Sequence, residues 1–233
     1  SSKYRMKRPS ISPAKRLGIV FILSAPSGAD KTTLYNGLRR VYPEMELSVS
    51  CTTRAKRAGE VNGRDYRFLS KPQFDRLRRR GEFAEWARVH DYFYGTPRKP
   101  LERCIRAGRD ILLDIDVQGA RQIKKACPEA VSVFLLPPSL RELERRLAAR
   151  GTDGKEIIRR RLANAQGEIG EIIHYDYYVV NRQVDEAVAA LSAIVQAERA
   201  RISRVSKWRL APLRRQRGRK GDGQRDQNQR AGR

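Results

Sequence analysis

The segment from Gly18 to Thr33 constrains this chain more than any other part of it. Gly18-Ile19-Val20-Phe21-Ile22-Leu23 is apolar without interruption and reads as a buried strand. Small residues and turn formers follow, Ala25-Pro26-Ser27-Gly28-Ala29-Asp30, and then Lys31-Thr32-Thr33 opens a stretch in which Leu34, Leu38 and Val41 recur on one helical face. A small-residue loop between strand and helix can surround phosphates with backbone N–H groups and a helix N-terminus, while Lys reaches the outer phosphates and a hydroxyl holds Mg²⁺. The full pattern G-x-x-x-x-G-K-[ST] is missed at both glycines, where Ala25 and Asp30 stand. Taken alone, the segment is equally an ordinary turn before a helix.

Strand-like and helix-like stretches alternate through the rest of the chain, without internal repeats, which predicts an α/β domain. Ile111-Leu112-Leu113, Val131 to Leu136 and Tyr177 to Val180 read as further buried strands. Ser70 with Gln73 forms a capping box at the start of a helix that carries Phe74 and Leu77 and stops at Gly81. Ser139 with Glu142 opens another helix after Pro137-Pro138. Val184, Ala187, Val188, Leu191, Ile194 and Val195 give the last helix its apolar face.

With 233 residues the chain can bury a core without disulfides. No apolar run approaches the roughly 20 residues of a membrane-spanning helix. Cys51, Cys104 and Cys127 are odd in number and lack metal-ligand spacing, which suits a reducing, cytoplasmic setting. Of the net charge of +24, two thirds sits at the ends: residues 1–16 carry six Lys/Arg and no acid, and residues 201–233 carry twelve against Asp222 and Asp226. Residues 1–16 and 207–233 are therefore expected to be disordered basic tails flanking a domain over 17–206, suited at most to weak, non-specific contact with nucleic acid. Self-association is left open.

Two further clusters bear on phosphate chemistry. Asp114 and Asp116 stand at the end of a buried strand, where an acid could support Mg²⁺ or simply cap the next helix. Ser50-Cys51-Thr52-Thr53-Arg54 with Arg57, Tyr66, Glu85, Tyr94 and Thr96 gathers hydroxyls, guanidinium groups and tyrosines suited to a phosphomonoester, although such a basic loop can also be solvated surface, and Glu85 an exposed helix acid.

From about Leu17 to Ser206 the sequence resembles guanylate kinases. The resemblance rests on Ser48 to Arg54, Ala58-Gly59-Glu60-Val61-Asn62-Gly63 with Asp65-Tyr66, and Phe83-Ala84-Glu85-Trp86-Ala87 with Tyr94-Gly95-Thr96. It continues through Ile111 to Gly119, Leu136 to Ser139, Arg145-Arg146-Leu147, Arg150-Gly151, Arg160-Arg161-Leu162, Tyr175-Asp176-Tyr177 and Val179-Val180-Asn181. It implies a parallel-sheet core of the P-loop NTPase type, a monophosphate-binding insert over about 50–98 and a helical lid over about 139–170. The implied reaction moves the γ-phosphoryl of ATP to GMP or dGMP, with Mg²⁺.

By position, Arg54, Arg57, Tyr66 and Tyr94 would hold the GMP phosphate, and Ser50, Glu85, Thr96 and Asp116 would read guanine. Ser27, Gly28, Ala29, Asp30, Lys31, Thr32 and Thr33 would surround the ATP phosphates, with Asn181 near adenine. Thr32 would meet the metal and Asp114 would reach it through water. Lys31, Arg146, Arg150 and Arg161 would neutralise the transferring group, while Arg141, Arg145, Arg159 and Arg160 would face solvent.

Asp30 breaks the family pattern by placing a carboxylate where glycine is usual. Its charge would be offset by turning to pair with Lys31 or a lid arginine, or by a cation, Mg²⁺ or a monovalent ion such as K⁺, that bridges it to phosphate. The same substitution is the argument for a second reading, a guanylate-kinase-like module that binds phosphopeptides and has lost nucleotide chemistry. Retention of Lys31, Thr32, Asp114 and the lid arginines argues for the enzyme.

Overall fold

The structure is a computed structural model that describes residues 17–26, 29, 31–89, 91–149 and 154–204, the side chains of Thr32 and Lys155 excepted. Both expected tails, and Ser27, Gly28, Asp30 and Arg150, lie outside the described residues.

Five strands form an all-parallel sheet in the order β2-β7-β1-β8-β9: β1 (Val20–Ser24), β2 (Glu46–Leu47), β7 (Ile111–Asp114), β8 (Val131–Leu136) and β9 (Tyr177–Val180). The unbroken apolar run at Gly18–Leu23 is explained by β1 lying at the centre, covered on both faces. Ile19, Phe21 and Leu23 pack with Leu34 and Leu38 of α1 (Lys31–Val41) and with Ala187, Leu191 and Val195 of α7 (Val184–Ala200). Val20 and Ile22 point the other way, onto Leu101 and Cys104 of α3 (Arg98–Arg106) and Ala120 and Ile123 of α4 (Val117–Ala126). Each fully buried aliphatic side chain contributes on the order of 2 kcal/mol, so these two layers supply the main driving force for the domain.

A second, four-stranded sheet has the order β4-β3-β6-β5, built from β3 (Cys51–Thr52), β4 (Arg67–Phe68), β5 (Phe83–Val89) and β6 (Tyr92–Pro97). It has its own small core of Cys51, Phe74 and Phe83, with Phe74 stacked on Phe83 at 4.6 Å and on Phe93 at 5.6 Å. Phe74 belongs to α2 (Lys71–Arg79), whose Ser70/Gln73 capping box forms as expected and whose chain leaves through Gly81 at φ 65°. The side-chain amide of Gln122 on α4 ties the two sheets together, donating to the Trp86 carbonyl at 2.7 Å and accepting from its N–H at 3.2 Å.

The third unit is a helical pair, α5 (Leu140–Ala149) and α6 (Lys155–Gly170), closed by Leu143, Leu147 and Ala165. Ser139 Oγ caps α5 by accepting from Glu142 N–H at 3.1 Å. A short 3₁₀ turn, Glu171–His174, leads into β9. Among the described residues, no helix is long and apolar enough to cross a membrane.

Candidate active site

Two side chains meet where β1 and β7 end beside the N-terminus of α1: Lys31 Nζ lies 2.7 Å from Asp114 Oδ1. Asp116, two residues on, caps α4 by accepting from Gly119 N–H at 2.9 Å. The two candidate metal-side acids therefore have different local roles, one facing the lysine and the other closing a helix. Ala29 is buried and its carbonyl accepts from the Asn181 side-chain amide at 3.2 Å. Asn181 is itself 2% exposed, so its amide holds Ala29 from the interior. Thr33 is exposed on the first turn of α1.

The second sheet carries most of the remaining candidates. Glu85 sits on β5, not on an exposed helix, and is 4% exposed. Thr96 Oγ1 on the neighbouring β6 donates to Glu85 Oε1 at 2.6 Å. Burial drives the Glu85 carboxyl up to about 7, and the negative charge of Asp116 adds to the rise against the Thr96 hydrogen bonds. Ser50 and Thr96 are buried as well. Four of the residues expected at the guanine site thus lie on two strands, one strand-entry loop and the α4 cap.

The phosphate-side candidates gather around Arg54. Its guanidinium lies 5.4 Å from the Tyr66 ring centroid, and the Tyr66 ring stands edge-on to Tyr94 at 6.0 Å. Burial and the Asp114 charge push the Tyr66 hydroxyl up to about 12. Tyr35 on α1 is raised for the same two reasons, which links this cluster electrostatically to the end of β7. Arg57 is exposed, and its backbone N–H is what the structure ties down, donating to Glu60 Oε2 at 2.7 Å.

From the helical pair, Arg146 reaches back to the core: its Nη2 donates to the Asn181 carbonyl at 3.2 Å and its Nε to Glu142 at 2.9 Å. Arg161 is half-buried on α6, whereas Arg141, Arg145, Arg159 and Arg160 are exposed. Sequence reasoning singled out neither Tyr35, Gly119, Gln122 nor the contacts of Glu60. A Cβ on Gly119 would stand 2.6 Å from Glu85 Oε2, a tertiary requirement with no local signature beyond the glycine itself.

The sequence pattern of the Guanylate kinase family matches residues 18–198. A guanylate kinase of Syntrophotalea carbinolica is 50% identical over 191 residues, covering 82% of this chain and 91% of that protein. One from Bradyrhizobium diazoefficiens is 49% identical over 191 residues, 82% and 87% of the two lengths. The crystal structure of the Anaplasma phagocytophilum guanylate kinase superposes with a TM-score of 0.73 at 36% identity, covering 88% of this chain and 98% of that one. Both sheets and the helical pair fall within the matched span, and so the chain belongs to the guanylate kinase family.

Proposed function

We propose that the protein is an ATP:GMP phosphotransferase whose guanine specificity rests on Glu85. The buried carboxylate is the observation that carries this reading. It can accept from both N1–H and the 2-amino group of guanine, a donor pair that adenine lacks. AMP offers neither donor and would leave the buried acceptor capacity of Glu85 beyond its Thr96 hydrogen bond unmet, a loss that discriminates by orders of magnitude. The deoxy nucleotide dGMP presents the same base and is accepted too.

The nucleophile is already a phosphate oxygen of GMP, so no side-chain base is required. That oxygen attacks Pγ in line, the bond between Pγ and the β-bridging oxygen breaks, and ADP leaves with the electron pair. Catalysis reduces to alignment and neutralisation. Arg54, Tyr66, Tyr94 and Arg57 hold the acceptor phosphate, while Lys31 and the loop over 27–33 hold the donor. Arg146, Arg150 and Arg161 spread charge off the transferring group. Mg²⁺ keeps several waters and takes one or two protein oxygens together with substrate phosphates, and a Thr32 hydroxyl as direct donor with the Asp114 carboxylate at the end of β7 acting through water would fit that sparse set. Held there, it would supply neutralisation of the donor's phosphate charge.

A phosphopeptide module would need the Arg54 cluster but neither the Lys31–Asp114 pair nor Arg146. The test is a coupled assay with ATP and each nucleoside monophosphate in turn. Turnover with GMP and dGMP, and almost none with AMP, CMP or UMP, is expected. Equal use of AMP and GMP would remove Glu85 from its role, and no turnover with any monophosphate would favour the binding module.

A further inference from the structure

Glu60 lies in none of the roles assigned so far, yet its carboxylate organises both phosphate-side arginines. Arg54 Nη2 donates to Glu60 Oε1 at 2.7 Å and Nη1 to Oε2 at 3.1 Å, a two-point pairing along the end of the guanidinium. Nη1 also donates to the Ala55 carbonyl at 2.7 Å. Oε2 of the same carboxylate accepts the Arg57 backbone N–H at 2.7 Å, and the Glu60 N–H returns to the Arg57 carbonyl at 3.2 Å. The turn is completed by Gly59 at φ 82°.

A guanidinium has five N–H groups, and these contacts occupy three of them. Outside these contacts is the side edge made of Nε–H and the second hydrogen of Nη2, a two-donor edge that matches two phosphate oxygens, and the hydroxyl of Tyr94, another phosphate-side candidate, also accepts from this guanidinium. Tyr66 and Phe68 lie 5.4 and 5.8 Å from the guanidinium carbon and restrict how the plane can turn. Glu60 thus fixes which edge of Arg54 is offered, and by fixing the turn it also fixes where Arg57 leaves the backbone.

We propose that Glu60 is a positioning residue for the acceptor phosphate, holding Arg54 edge-on and Arg57 in register so that the phosphate of GMP finds both preset. The inference rests on the GMP kinase reading of the same site. It has a clear rival: a carboxylate paired with a phosphate-binding arginine could instead compete with the phosphate, in which case removing it would tighten binding. The geometry favours positioning, because the pairing uses the Nη1–Nη2 end of the guanidinium and leaves the Nε side edge outside it.

The experiment compares GMP with guanosine, which shares the base and sugar but lacks the phosphate. Binding of each is measured by calorimetry for the full-length protein and for Glu60→Gln and Glu60→Asp, together with KM for GMP and for ATP. Glu60→Gln is expected to weaken GMP about tenfold, equivalent to losing part of a charge-assisted hydrogen-bond pair, with guanosine affinity and the KM for ATP unchanged. Glu60→Asp keeps the charge but shortens the reach and should fall between. GMP affinity that is unchanged or improved in Glu60→Gln overturns the proposal, as does an equal loss for GMP and guanosine. Because binding is read without turnover, a parent protein that binds GMP but transfers nothing to it refutes the kinase reading and leaves the Glu60 comparison decisive.

Discussion

Gly119 and Glu85 are packed so closely that the glycine has no room for a side chain: a Cβ would stand 2.6 Å from Oε2 and 3.0 Å from Cδ of the carboxylate. Gly119 is also the residue whose N–H is taken by the Asp116 cap. Gly119→Ala should therefore push Glu85 off its Thr96 contact without disturbing the sheets. We expect KM for GMP to rise by about tenfold to a hundredfold, KM for ATP to hold, and the preference over AMP to shrink. Steady-state kinetics with both monophosphates measures this, and an unchanged KM for GMP would mean that the carboxylate has slack.

Glu85 also sets a pH dependence. Its carboxyl is raised by burial from an ordinary 4.5 to about 7, so the folded state binds more protons than the unfolded state between those values. Stability is fully present below the unfolded value and falls as pH rises through the folded one. The shift corresponds to about 3 kcal/mol lost by pH 8. Melting temperature of the ligand-free protein should drop from pH 5 to pH 8, and Glu85→Gln should flatten that drop. In the opposite sense, GMP needs the ionised acceptor, so its affinity should weaken as pH falls below about 7.

Lys31 lies 2.7 Å from Asp114, and its ammonium has two further donors with which it would meet phosphate under the proposed reading. Asp114→Asn should lower kcat by about a hundredfold or more and raise the Mg²⁺ needed for half-maximal rate. GMP binding by calorimetry should stay close to that of the parent protein. Loss of GMP binding with kcat retained would assign Asp114 to the acceptor side instead.

Position 30 carries a carboxylate within the loop proposed to hold the donor phosphates. Two unit charges about 4 Å apart would repel by roughly 4 kcal/mol at an effective dielectric near 20, so a bound cation or a lid arginine would have to offset them. Activity is expected to depend on K⁺ or on elevated Mg²⁺, and Asp30→Gly should weaken that dependence while preserving transfer to GMP. Identical cation responses in the two proteins would show that the carboxylate points away from the phosphates.

Near the end of the described chain, Glu198 is 2% exposed and receives Tyr177 Oη at 2.7 Å, Arg204 Nη2 at 2.9 Å and Arg201 Nη2 at 2.9 Å. Ending the chain after Ala200 strips the carboxylate of both arginines. A loss of about 3 kcal/mol, seen as a fall of several degrees in melting temperature, is expected. Ending it after Arg204 and removing residues 1–16 should leave melting and GMP kinase activity unchanged and reduce retention on a nucleic-acid column.

Four of the five core strands were legible because they are continuous apolar runs, and α1 and α7 because their apolar residues repeat at 3.6; Val20, Ile22, Leu34, Leu38 and Leu191 need no partner to be recognised, whereas β2 is only Glu46–Leu47 and gives no such signal. The second sheet was not legible from periodicity. Along β5 the inward positions are Phe83, Glu85 and Ala87, so the alternation is broken by the acid that the site requires. β3 and β4 are two residues long, below any periodic signal. The candidate site was legible only through ordered motifs, which supplied residue identities but not contacts. That Asn181 supports Ala29, or that Glu60 grips Arg54, depends on residues 152 and six positions apart meeting in space.

Gln122 fastens β5 to α4 through both polar groups of the Trp86 backbone, and the consequence concerns where selectivity resides. Glu85 and Thr96 come from one sheet, Asp116 and Gly119 from the helix that packs on the other. Under the proposed assignment neither half alone would hold a complete template for the base. Guanine recognition would then be a property of the seam, assembled only when the two halves are in register, and a change that loosens the seam would erode the choice of nucleotide while every residue assigned to the base stays the same.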